Sequence, residues 1–322
     1  MKKIFKKGWS QVIISASRRT DIPSYYAEWF FKRLRERYVL VRNPMNIHQI
    51  SKVSLLPDVV DCIVFWTKNP RPMLDKLQLL AAYPYYFQFT LNSYAQDIEA
   101  GLPGKQAIID TFQKLSDTIG AEKVIWRYDP LLINEKYTIF YHVENFGTIA
   151  HALRGYAKKV TISFIDFYSK ITKNLNLLDI HPMSAEDKDS IAKQLSAIAR
   201  ENCFAIDTCA EDINLSQYGI SHARCIDDRL IEQIIGCPLS VGKDKTQRLK
   251  CACVASVDIG AYNSCANACL YCYANDNRKR VEENRKQHSP DSPLLIGEVR
   301  SDDVCTERCL GSNKKSPLQA AE

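Results

Sequence analysis

Val124-Ile125-Trp126-Arg127-Tyr128, followed directly by Asp129-Pro130, is the stretch that decides the fold class. It is short, apolar and rich in β-branched and aromatic residues, as a strand covered on both faces should be. Amphipathic stretches flank it. Lys105–Ile119 reads as a helix ended by Gly120, and Tyr137–Leu153 as one ended near Gly155. A strand set between two helices is the repeating unit of a parallel sheet.

The pattern extends in both directions. Val12–Ala16, Cys62–Trp66, Tyr85–Leu91, Val160–Ile165 and Cys203–Asp207 read as strands. Helices over about Ser24 to Arg37 (Ser24 as N-cap), from Asn69-Pro70 to about Leu80, and over Ser184–Arg200 lie between them. Tyr38–Arg42 and Gln49–Leu55 read as a small inserted strand pair turning at Asn43-Pro44. Six β–α units in series predict an α/β chain with a parallel (β/α) barrel of the TIM type, full or partial, over residues 10–210. Residues 211–300 are expected to form a cysteine-rich segment closing or capping it. Residues 312–322 are expected to be a flexible tail.

The 322 residues are 46% hydrophobic and 25% charged, enough to bury a real core in one large domain or two smaller ones. Lys and Arg number 43 against 37 Asp and Glu, a mild excess of 6 that supports nucleic-acid binding only weakly. No apolar run reaches the length of a membrane span. The basic start Met1–Lys7 lacks a following cleavage site, so a cytoplasmic protein is expected.

In a barrel, function gathers where strands end. Just past the strands stand Arg18, Arg19 and Asp21, then Lys68 and Asn69, then Arg127 and Asp129. Charges within or beside apolar runs need partners or a wet cavity. The four cations would make such a cavity positive and suited to a small-molecule anionic substrate. A structural Arg127–Asp129 ion pair is the plainer reading.

The cysteines are distributed unevenly. Of twelve, Cys62 alone lies in the first 200 residues, and eleven lie between Cys203 and Cys309. Clustered cysteines in a large chain point to metal rather than to a disulfide scaffold. Cys265, Cys269 and Cys272 give Cys-x3-Cys-x2-Cys, with Tyr271 just before the last. Thiolates suit an iron–sulfur cluster, and a closed zinc site that also takes Cys251 and Cys253 is the alternative. Cys209, Cys225, Cys251 and Cys253 are a candidate second site, for an auxiliary iron–sulfur cluster or zinc. Ordinary buried thiols are the alternative.

The trio with its aromatic resembles the signature of the radical SAM enzymes. That resemblance implies a [4Fe–4S] cluster on Cys265, Cys269 and Cys272, with one iron left for the amino and carboxylate groups of S-adenosylmethionine. Tyr271 would lie near the adenine, and Asn69 is expected to face the cofactor with it. An electron donor such as flavodoxin or ferredoxin is implied. In those enzymes the cysteine loop follows the first barrel strand, whereas here it follows all six units. A permuted radical SAM barrel would explain this, with Val254–Ile259 as the strand before the loop and Tyr273–Gln287 as the helix after it. A segment appended over the barrel mouth is the other arrangement. A non-radical iron–sulfur redox or nucleic-acid-binding protein, or a zinc-stabilised barrel, stands as the rival reading.

The chain from about residue 10 to 300 also resembles an uncharacterised bacterial family, a domain of unknown function. The resemblance rests on Ile14–Pro23, Phe65–Pro70, Trp126–Pro130 and Asp258–Asn275. It implies a cysteine cluster like that of radical SAM proteins.

Overall fold

A computed structural model describes residues 12–308 and Lys314. Its strands are β1 (Ile13–Ala16), β2 (Tyr38–Asn43), β3 (Asn46–Ser54), β4 (Cys62–Thr67), β5 (Tyr85–Thr90), β6 (Val124–Leu131), β7 (Lys159–Phe164), β8 (Ala205–Thr208), β9 (Ser221–His222), β10 (Val257–Asp258) and β11 (Val304–Glu307). Eight of them form one parallel sheet in the order β10-β1-β4-β5-β6-β7-β8-β9. β2 and β3 pair antiparallel as the expected insertion, and β11 joins β3 in parallel to complete a small second sheet.

Alternation along the strands sorts their side chains onto two faces. Ile14, Ile63, Phe65, Phe87, Phe89, Trp126 and Ile162 belong to the large core shared with the helices. Helices Ala27–Glu36, Lys105–Ile119, Ile139–Ala152 and Ala185–Glu201 each turn buried residues toward it. Ile13, Cys62, Val64, Tyr86 and Ile125 belong to a second core, completed by Cys225, Ile226, Leu239, Cys251, Cys253 and Val254.

The sheet does not close, so of the full or partial barrel expected the full form is corrected. Among the described residues no pairing joins edge strand β9 to edge strand β10. Both edges are two residues long, too short to supply a staggered ladder. The irregular chain between them bridges the gap instead. Val254 N–H donates to the carbonyl of Ile226 at 3.2 Å. The Tyr86 hydroxyl and Gln88 Nε2 donate to the carbonyl of Cys225 at 2.8 and 2.7 Å. The cysteine-rich segment therefore supplies both edges and fills the second core.

Two local expectations change. Ser24 is not an N-cap but lies inside the short helix Ile22–Tyr25, which Asp21 caps by accepting from Ser24 N–H at 3.0 Å. The longer helix begins afresh at Ala27. The expected tail at 312–322, apart from Lys314, lies outside the described residues, as do Cys309 and the basic start. Among the described residues no helix is long and apolar enough to cross a membrane.

Candidate functional site

β10 pairs parallel with β1, setting Val257 beside Ile14 and Asp258 beside Ser15. The cysteine loop thus leaves the sheet at the same end as the Ser17–Asp21 loop. Asp258 ties the two together. Its carboxylate accepts from Ser15 Oγ (2.9 Å), Ser17 Oγ (2.6 Å), and the N–H groups of Arg18 (2.8 Å) and Gly260 (3.0 Å). Gly260 must be glycine for space, because a Cβ there would lie 2.1 Å from Ser17 Oγ.

Further bonds hold the loop. Asn267 accepts from the Tyr25 hydroxyl at 2.7 Å and donates to Asp21 at 3.0 Å. The Tyr26 hydroxyl donates to the carbonyl of Ser264 at 2.6 Å. The loop after β5 closes against the other side. Gly101 N–H donates to Asn267 O and Leu270 N–H to Ile98 O, each at 3.0 Å. A Cβ at Gly101 would meet the Ala266 carbonyl oxygen at 2.2 Å.

Cys265, Cys269 and Cys272 all line one cavity of about 350 Å³. Burial pushes their thiols up, Cys269 to about 12 even though Lys68 pulls the other way. Cys209, Cys225, Cys251 and Cys253 line the same cavity. Among the described residues no three thiols lie within 4.8 Å of one another. A tetrahedral zinc with bonds of about 2.3 Å would draw its sulfurs to about 3.8 Å. The trio is therefore more open than a zinc site, whereas Cys209 Sγ and Cys225 Sγ stand 3.1 Å apart.

The expected cations reach the cavity, and each faces a carboxylate. Arg127 is paired with Asp129 at 2.5 Å and Lys68 with Glu99 at 2.8 Å. Arg18 stands 3.5 Å from Asp244, and Arg19 stands 3.9 Å from Asp258. Trp66 lies under both Arg18 and Arg127, at 6.0 and 5.1 Å from its ring centre. The positive cavity expected from the sequence is thus tempered by acids from distant segments. Asp21 lines the cavity and also serves as a tie. Besides capping a helix, it accepts from Lys68 N–H at 2.8 Å.

Tyr271 sits under the trio in a buried polar network. Its hydroxyl donates to Glu99 and accepts from Lys68 Nζ at 2.7 Å and Asn92 Nδ2 at 3.1 Å. Burial would raise the Glu99 carboxyl, but Lys68 and Lys105 outweigh it and hold it below the usual range. Asn69 is not among the residues brought to the cavity. Its side chain turns back to accept from Arg71 N–H at 3.3 Å at the start of the next helix.

A family model, "Domain of unknown function (DUF1848)", matches residues 13–274. The chain belongs to this family. The match runs from β1 through the cysteine loop, so in this DUF1848 chain both thiol groups and the strand-end cations lie inside the family region. No curated protein and no solved structure matches.

Two site residues of the DUF1848 chain were missed from sequence. Asp258 carried a signal, since it ends an apolar run like the other strand-end residues. Glu99 carried none. It stands in an aperiodic loop, and only the fold brings Lys68, Lys105 and Tyr271 to it.

Proposed function

We propose that this chain is a radical SAM-like enzyme. Cys265, Cys269 and Cys272 would be the thiolate ligands of a [4Fe–4S] cluster, with the remaining iron left to the amino and carboxylate groups of S-adenosylmethionine. The observation that carries the reading is the strand order. β10 pairs with β1, runs straight into the cysteine loop, and is followed by helix Arg278–Lys286. Followed through space rather than along the chain, the cysteine loop comes after the first strand of the sheet. This is the arrangement of the enzymes the loop resembles, reached by permutation, to which folds are tolerant.

The residues present fit the group. Three soft thiolates on one loop suit iron and sulfide better than zinc at this openness. The cavity has the size of a small-molecule site. Thr20 Oγ1 and Asn275 Oδ1 are buried without partners on its wall. An amide oxygen needs a donor and a hydroxyl can donate or accept, so a ligand with polar hydrogens would satisfy them. Paired cations and carboxylates favour a zwitterionic ligand over a strongly anionic one. When bound, the cluster supplies the electron that breaks a sulfur–carbon bond of S-adenosylmethionine. The chain's own work is positional. Asp258 and Asn267 fix the loop, while the Tyr271–Glu99–Lys68 network holds the aromatic in place.

The test is product formation by anaerobically reconstituted, reduced protein. 5′-Deoxyadenosine and methionine should appear, and Cys269→Ala should abolish both. A fully loaded cluster that leaves S-adenosylmethionine intact, and whose electron paramagnetic resonance signal ignores it, would reject the reading in favour of a closed redox site.

A further inference from the structure

The second group of cysteines is assembled from separate parts of the chain. Cys209 follows β8, Cys225 follows β9, and Cys251 and Cys253 precede β10. Cys209 Sγ and Cys225 Sγ are 3.1 Å apart, and Cys253 Sγ accepts from the N–H of Ile226, next to Cys225, at 3.4 Å. Cys225, Cys251 and Cys253 are buried in the second core. Apolar packing alone does not need sulfur at four neighbouring positions, since any small apolar side chain would serve.

The surroundings are those of an anion. Arg127 is almost fully buried and points Nη1 at Cys225 Sγ, 2.9 Å away. A buried guanidinium aimed at sulfur is satisfied best by a charged thiolate or a metal-bound one. Trp66 packs against the same core, and its indole N–H is buried without an acceptor. Hydrogen bonds to sulfur are a standard feature of iron–sulfur sites.

We propose that Cys209, Cys225, Cys251 and Cys253 bind a second [4Fe–4S] cluster. All its irons are protein-ligated, and it borders the cavity that the trio opens onto. The site is distinct from the trio and needs neither S-adenosylmethionine nor catalysis to exist.

The experiment counts iron, sulfide and zinc in the full chain after anaerobic reconstitution, for the parent, Cys269→Ala/Cys272→Ala, and Cys251→Ala/Cys253→Ala. The parent should hold two cubanes' worth of iron and sulfide. The Cys269/Cys272 variant should keep one, and its reduced spectrum should not respond to S-adenosylmethionine. The Cys251/Cys253 variant should keep the other, with a response to it. Where that variant fails to fold, Cys225→Ser in its place should shift the spectrum of the cluster retained without the trio. One cubane's worth in the parent and none in the Cys269/Cys272 variant overturns the proposal. So does zinc in place of iron, or a Cys209–Cys225 disulfide in the anaerobic parent. Failure of the trio to cleave S-adenosylmethionine leaves this outcome separate, because the count is read without activity.

Discussion

The two thiol groups are built in opposite ways. Cys265, Cys269 and Cys272 come from eight consecutive residues, on a loop braced by Asp258, Asn267 and the backbone of Ile98–Gly101. Cys209, Cys225, Cys251 and Cys253 come from three segments that meet only where the sheet fails to close. The first group is a local motif held from outside. The second is a product of the fold and forms part of its core. Damage to the loop should therefore leave the sheet intact, whereas damage to the quartet should be felt by the sheet edge as well.

The sharpest break in that comparison is Cys272→Ala. Cleavage of S-adenosylmethionine should vanish while thermal stability of the metal-free chain changes little, read by product assay and by calorimetry. A large fall in melting temperature would mean the trio is itself core. Next is the brace below it. Glu99→Ala removes the buried carboxylate from two half-buried lysines, Lys68 and Lys105, which should cost about 3 kcal/mol or more in denaturant titration. Glu99 also sets a pH dependence. Its folded carboxyl lies below the ordinary range, so the folded chain gives up that proton more readily than the unfolded one. The resulting stability is complete above the unfolded value and is lost as pH falls through the folded one. Glu99→Gln should flatten that acid limb, and an unchanged limb would show that the pair carries no net stability.

Asp258→Ala removes the acceptor shared by two hydroxyls and two N–H groups. About 3 kcal/mol should be lost, together with part of the iron bound by the trio but not by the quartet. Gly101→Ala forces a Cβ onto the Ala266 carbonyl and should cost about 1 to 3 kcal/mol. Iron counting should again find the loss at the trio alone. The smallest effect is expected at Asn69→Ala. It removes a bond at the start of a helix, worth about 1 kcal/mol or less, and should leave iron content and cleavage unchanged. A fall in affinity for S-adenosylmethionine would restore Asn69 to the site.

Much of this was legible in the residues themselves. Burial on both faces of a strand requires continuous apolar runs, so the strands Cys62–Thr67, Tyr85–Thr90 and Val124–Leu131 announce themselves, as does the helix Lys105–Ile119. The trio was legible because its members are chain neighbours. Asp244 and Glu99 gave no comparable notice as the partners of Arg18 and Lys68, because an ion pair between distant segments leaves no periodicity in either one.

The sequence by itself determined the parallel α/β class, the strand ends that carry charge, and three cysteines gathered within eight residues, since each follows from residues within a turn or two of one another. The tertiary structure alone decided that β10 lies beside β1, that the sheet stays open, and that four scattered cysteines meet near Arg127. Those are choices between distant partners, settled by which edge is free to pair and which gap the intervening chain can fill.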